Sequence, residues 1–233
     1  MKSRPILFSA PMVKAIREGR KTVTRRVLTV GRGLIPTEAE PYGADWDDEG
    51  ISVRVAGGHR EKLDHRFCPF GTVGDRLWVR ETWGLFDTQP KDGPKDAHVF
   101  YRATDGDRRD LRFQLWRPSI FMPRWASRIT LELTNVRAER LQDITNEDAI
   151  AEGALRSEWL CEPFATEGGW TFYPEHVGKR EHALGTPRMA FANGWDKLNG
   201  ERAPWSSNPW VWRLAFNPAV LDVAGVPEPA SSC

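Results

Sequence analysis

The sequence predicts an α+β fold: a small, mostly antiparallel β-barrel flanked by a few helices. Three observations carry that expectation. Several short segments alternate apolar and polar residues with a period of two, only two or three carry helical spacing, and nowhere do strands and helices alternate as a doubly wound parallel sheet requires. The 233 residues suit one domain over 1–219, with insertions at about 34–66 and 154–185 and a flexible tail over 220–233.

The first helix opens at Ser9. Ser9 or Ala10 caps it, Pro11 suits a first turn whose N–H has no helical partner, and Met12, Ala15 and Ile16 recur at helical spacing until Gly19 ends it. From Lys21 to Val27 the chain alternates and is β-branched, hence extended, which sets Lys21 and Thr24 just past a helix C-terminus. Residues 38–50 hold six acids and no base, broken by Pro41 and Gly43, and read as a solvated loop or insertion. Gly71 to Asp75 is a turn, and Arg76 to Trp83 is a strand with Leu77, Val79 and Glu81 on one face. His98 to Ala103 is a short strand, and Arg128 to Leu141 is a long one with Ile129, Leu131 and Leu133 inward. Thr145 caps a helix from Asn146 to Glu152, with Asp148 as its capping-box acid and Gly153 as its stop. Thr186 opens another, with Pro187 at its first position and Met189, Phe191 and Trp195 on its apolar face. Residues 208–216 form the closing strand.

Thirty-three Lys and Arg against thirty-two Asp and Glu leave a net charge of +1, without the broad basic field of a non-specific nucleic-acid coat. Polyanion contact would have to be local, and residues 1–33 do carry nine bases against Glu18 alone. No apolar run approaches the roughly 20 residues that span a bilayer, and the N-terminal apolar core is too short for a secretory signal, so a cytoplasmic protein with no membrane partner is expected. Cys68, Cys161 and Cys233 form no CxxC pair, and His59 and His65 near Cys68 match no zinc spacing. Neither metal nor cofactor is expected, since the common phosphate-loop, zinc-protease, esterase and dinucleotide motifs are absent. The eleven tryptophans fill a small core or offer stacking surfaces.

The chemically suggestive cluster is Gly19 to Arg26. Read plainly, it is a basic turn whose cations offset a helix C-terminal dipole. Read chemically, it sets Lys21 near the Thr24 hydroxyl, and a lysine whose pKa is lowered by burial or by Arg20, Arg25 and Arg26 can activate such a nucleophile. A carboxylate is still needed to orient the amine or carry the proton to a leaving group, and Glu81 and Glu152 are the candidates.

The pattern Gly19-x-Lys21-x-x-Thr24-x-Arg26, the segment from Gly74-Asp75 to Trp83, the segment from Leu141 to Gly153, the stretch Trp116 to Arg128 and the terminal Asn208-Pro-Trp-Val-Trp212 together resemble the ASCH-domain family, in its long, phage-associated branch. The resemblance covers nearly the whole chain outside 34–66 and 154–185. It implies a PUA-like β-barrel with a cleft where the N-terminal motif meets the barrel. Thr24 stands where the family commonly has glutamate. A branch with threonine there contains small bacterial amidohydrolases that remove acetate from N4-acetylcytidine with a lysine, a threonine and a glutamate. The resemblance therefore implies Lys21, Thr24 and Glu152 as the catalytic residues, the last matched through Ile144-Thr-Asn-Glu-Asp-Ala-Ile-Ala-Glu152.

The expectation is an amidohydrolase acting on a small modified nucleoside, an N4-acylcytidine. In it Thr24 is nucleophile or water-orienting hydroxyl, Lys21 its base, and Glu152 the group that orients Lys21 or protonates the leaving amine. Arg26, Glu81, Trp83 and Trp125 are the candidate substrate contacts. Against these stand plainer roles: Glu81 pairing with a nearby arginine, and the two tryptophans packing in a core. The competing expectation is an RNA-binding module or ribonuclease of the same family, in which the basic first segment tracks phosphates and tryptophans stack bases. A phage accessory protein with no activity on nucleosides is a third.

Overall fold

The computed structural model describes residues 1–29, 38–41, 51–54, 60–63, 68–85, 98–106, 115–157, 168–173, 176–177, 179 and 183–218. In chain order the principal elements are β1 (Ser3–Leu7), α1 (Ala10–Arg17), β2 (Val23–Val27), β3 (Glu38–Pro41), β4 (Ile51–Arg54), β5 (Arg60–Leu63), β6 (Arg76–Arg80), β7 (Trp83–Leu85) and β8 (Val99–Tyr101). The short α2 (Arg102–Asp105), β9 (Thr130–Arg140), α3 (Asn146–Ala151), β10 (Leu155–Arg156), β11 (Trp170–Thr171), α4 (Pro187–Asn199) and β12 (Trp210–Pro218) follow. This is the expected α+β class, rich in sheet.

The main sheet has the order β1-β6-β9-β12-β2, and its last strand in sequence is an inner strand. Three of its four pairings are antiparallel; β1 and β6 run parallel. Pro5, which has no N–H to give a ladder, sits in β1, an edge strand. β9 carries a bulge: Asn135 pairs with Ala215 but Leu133 with Phe216, so Thr134 is extra. The extra residue reverses the phase of the alternation, and Leu131 and Leu133 before it share a face with Val136 and Ala138 after it.

β12 has two buried faces. Trp210, Trp212, Leu214 and Phe216 enter the main core with Ile6, Val13, Leu77, Ile129 and Leu131, while Val211 faces the opposite way into a second core with Leu141, Ile144, Ala149, Phe191 and Trp195. That second core docks α3 and α4 on the sheet. A third core holds Trp83, Leu85, Met122 and Ala126 beside β7 and β8.

Several expectations need correction. No backbone pairing among the described residues joins β1 to β2, so the sheet is not a closed barrel; the Arg26 guanidinium bridges the seam by donating to Leu7 O. Glu38–Pro41 form a strand of a separate three-stranded meander, not a loop, because Ile51–Arg54 pairs with it. The strand expected over 76–83 breaks between β6 and β7 at Glu81 and Thr82. Thr145 does accept from Asp148 N (3.1 Å), but the Asp148 carboxylate binds arginines instead of completing a capping box. Met189 is exposed while Phe191 and Trp195 are buried. Part of the 154–185 segment is ordered as the β10–β11 ribbon, and the tail over 220–233, with His59, His65, Cys161 and Cys233, lies outside the described residues.

A methyl group on Gly84 in β7 would sit 2.2 Å from the Phe100 ring, which is fully enclosed. Gly84→Ala is expected to lower unfolding free energy by about 1–3 kcal/mol, an overpacking cost measurable by denaturant titration.

Candidate active site

The N-terminal motif is placed by two helix ends. Gly19 takes φ +73°, a conformation that favours glycine, and turns the chain so that Arg20 and Lys21 both donate their N–H to Ala15 O of α1. Thr22 N then donates to Ala151 O at the end of α3 (2.9 Å). α3 stops in turn at Gly153, with φ +113°. Lys21 is thereby held at the C-terminus of α3, where carbonyls lack helical partners and a cation is favoured.

Lys21 Nζ is wholly buried and donates to three acceptors: Glu152 Oε2 (2.5 Å), Val23 O (2.8 Å) and Glu152 O (2.9 Å). Those bonds occupy every hydrogen of an ammonium. Burial lowers the Lys21 pKa, Glu152 opposes that shift, and the charges of Arg26 and Arg25 reinforce it.

Glu152 is also held from its other oxygen, by Arg25 Nη1 at 3.3 Å. The Arg25 side chain is completely enclosed, donates to Glu139 Oε1 (2.7 Å) and bonds the Asp148 carboxylate. Register explains the crowding. Arg25, Arg213 and Arg137 are direct cross-strand partners on β2, β12 and β9, a row of three like charges that would repel without neutralisation. Asp148 answers with a two-oxygen contact to Arg213 (2.7 and 2.9 Å), and Glu139 takes Arg137 Nε (2.9 Å). Burial pushes the Asp148 carboxyl up, but bonds from Arg213 and Arg25 outweigh it and hold the pKa at about 2.

A cavity of about 430 Å³ opens beside this network. Its walls are the start of α1 with Leu7 and Phe8, the edge of β2 from Thr24 to Val27, Glu152, and Phe191, Trp195 and Asn199 of α4. Thr24 lines it, and its hydroxyl makes no hydrogen bond among the described residues. Arg26 lines it too, its guanidinium 4.9 Å from the Phe8 ring centroid and its Nε buried without a partner among the described residues. Burial brings the Arg26 pKa down to about 10, against the opposing charge of Glu152, so it remains a cation at neutral pH. Lys21 does not line the cavity; it stands behind Glu152.

Of the residues singled out in the sequence, Lys21, Thr24, Arg26 and Glu152 meet here. Glu81, Trp83 and Trp125 do not line the cavity. Glu81 is buried and paired through both oxygens with Arg128 (2.9 and 3.0 Å), and its pKa is raised by burial despite that partner. Trp83 is enclosed in the third core with Trp125 edge-on at 5.9 Å, although Thr82 does reach the cavity. The aromatic walls are instead Phe8, Phe172, Phe191 and Trp195. Phe191 and Trp195 were legible only as an apolar helix face, Phe172 lies in a segment without periodicity, and Arg25 was legible as a cation near Lys21 but not as a buried partner of Glu152.

No group of three or more His, Cys, Asp or Glu among the described residues is placed to hold a metal ion, and no described helix is long and apolar enough to cross a membrane. No family model, curated protein or solved structure matches the chain.

Removing one partner of a buried pair strands the other. Lys21→Met is expected to cost about 3–5 kcal/mol of unfolding free energy, and the double variant Lys21→Met/Glu152→Met to recover much of it, read by denaturant unfolding of both. The Asp148 carboxyl, held at about 2 against an ordinary 3.8, stabilises the fold above 3.8 and loses that contribution as pH falls toward about 2. The stability difference between wild type and Asp148→Asn is therefore expected to shrink across that window in acid unfolding curves.

Proposed function

We propose that the chain is an ASCH-type domain of PUA-like fold that removes the N4-acyl group from N4-acylated cytosine nucleosides or bases, releasing the free amine and a carboxylic acid. The observation that carries this reading is the meeting of Lys21 and Glu152, 131 residues apart in the chain, in a buried 2.5 Å contact at the wall of a cavity that Thr24 also lines. An uncommitted hydroxyl, a carboxylate and a lysine are what acyl transfer from nitrogen to oxygen requires.

Thr24 Oγ1 attacks the acyl carbon, or orients the water that does, and its proton passes to Glu152. The C–N bond then breaks, and the proton moves from Glu152 to the departing exocyclic nitrogen. Where an acyl-threonine forms, water attacks its carbonyl carbon and gives a proton to Glu152, the C–O bond to Thr24 breaks, and Glu152 returns that proton to Thr24 Oγ1, which regenerates the hydroxyl and yields the acid. Lys21, its three hydrogens engaged, acts through Glu152 and not directly on Thr24.

The oxyanion would take donors along the edge of β2. Thr22 O and Leu28 N bond to β12, so even-numbered residues turn their backbone toward β12, leaving the N–H groups of Arg25 and Val27 on the edge that has no strand partner among the described residues, where both residues line the cavity. Arg26, whose buried Nε has no partner among the described residues, adds positive charge. Such prearranged donors typically contribute a few kcal/mol each, about 3–4 by substitution.

The test is ultraviolet-monitored hydrolysis of N4-acetylcytidine in the presence of chelator. Wild type is expected to turn over, and Thr24→Ala, Glu152→Ala and Lys21→Ala to lose on the order of a hundredfold or more in kcat/KM. Near-wild-type activity in Thr24→Ala would remove the nucleophile assignment. Absence of turnover in the wild type, joined to RNA affinity that falls steeply with salt, would favour the RNA-binding reading instead.

A further inference from the structure

A second cavity, of about 140 Å³, adjoins the first. The two share Ser9, Met12, Glu152, Phe172 and Leu198, so they lie side by side as two lobes that both border Glu152. The lobes differ in chemistry. The larger presents Thr24, Arg25, Arg26 and Asn199, whereas the walls unique to the smaller are mainly apolar: Pro11, Ala15, Leu155 and Tyr173. Its one charged wall besides Glu152 is Arg20, whose Nε and Nη2 are already given to Glu18 and whose Nη1 is buried without a partner among the described residues.

Resting on the amidohydrolase reading, we infer that the smaller lobe is an acyl pocket and that the substrate class is cytidines carrying an aromatic N4-acyl group. A scissile C–N bond beside Glu152 has the base on its nitrogen side and the acyl group on its carbon side, and the two cavities both border Glu152. The polar lobe suits a cytosine with its acceptors and amine. The apolar lobe suits a hydrocarbon group, and its size matches one phenyl ring: an apolar cavity of about 150 Å³ in another protein takes up benzene. Acetyl, with a single methyl, would leave most of it empty and its walls without contacts. Two walls, Phe172 and Tyr173, are aromatic rings set edge to face at 5.9 Å, a surface that a third ring can join. Leu155, Phe172 and Tyr173 all come from the 154–185 segment, which gives that insertion a task in selecting the acyl group.

The experiment compares kcat/KM for N4-benzoylcytidine and N4-acetylcytidine in wild type, Leu155→Trp and Leu155→Ala, with thermal unfolding of each protein as a check on folding. Leu155 lines the smaller lobe only and is half-buried on β10. Wild type is expected to favour the benzoyl compound at least tenfold. Leu155→Trp is expected to lower the benzoyl-to-acetyl ratio at least tenfold, and Leu155→Ala to raise turnover of the bulkier N4-naphthoylcytidine relative to benzoyl. Turnover of both compounds with a ratio near one in the wild type, or a ratio that neither folded variant changes, overturns the acyl pocket and leaves the amidohydrolase reading standing. Turnover of neither compound by wild type overturns both.

Discussion

Three arginines standing side by side across β2, β12 and β9 set the terms for the rest of this molecule. Adjacent like charges on one sheet face repel, and a face that must also dock helices cannot leave them to water. Asp148 on α3 and Glu139 on β9 resolve the conflict, and in doing so they fix where α3 lies along the sheet. Once α3 is fixed, Glu152, the residue that caps its C-terminus, is carried to the turn after α1, where it meets Lys21. The site is thus a by-product of neutralising a row of charge. The apolar contacts of Val211, Leu141 and Ala149 hold the helix down, but apolar contacts alone tolerate sliding, whereas a two-oxygen carboxylate–arginine pair does not.

Burying Lys21 and Glu152 together is an expensive way to hold two segments. The desolvation of each charge offsets most of their attraction, and an apolar pair of equal volume would often be as stable or more so. What the charged pair provides is a carboxylate of defined orientation at a cavity that Thr24 also lines. That carboxylate is almost wholly enclosed, which strengthens the electrostatic contacts it makes.

The local elements were legible because each is written within a few residues. Ser9, Pro11 and Gly19 bound α1, Thr145 and Gly153 bound α3, and Leu77, Val79 and Glu81 announce one buried face. The long-range features were not. The parallel pairing of β1 with β6 joins residues some seventy apart and leaves no local pattern, and the bulge at Thr134 is recorded only as a change of phase that a short strand and a turn would mimic. The motif residues Lys21, Thr24 and Arg26 came from their spacing together with a resemblance, and Glu152 from the helix that ends at it. Arg25 was legible as a cation near Lys21 but not as the buried partner of Glu139, Asp148 and Glu152, because a buried arginine and an exposed one look alike in sequence; the register that pairs it with Arg213 distinguishes them.

β12 lies between β9 and β2 although it is the last strand of the described chain. Among the described strands, the one bearing Thr24, Arg25 and Arg26 has β12 as its only partner. During synthesis, then, β2 emerges from the ribosome long before the strand that pairs with it. Contacts so distant in sequence close slowly, and an unpaired strand edge is meanwhile open to other chains. The two arginines of β2, charged and ill-suited to stacking against a copy of themselves, make that wait safer. A nascent or truncated chain ending before Trp210 would carry Lys21, Thr24 and Glu152 and lack the strand that pairs with Thr24.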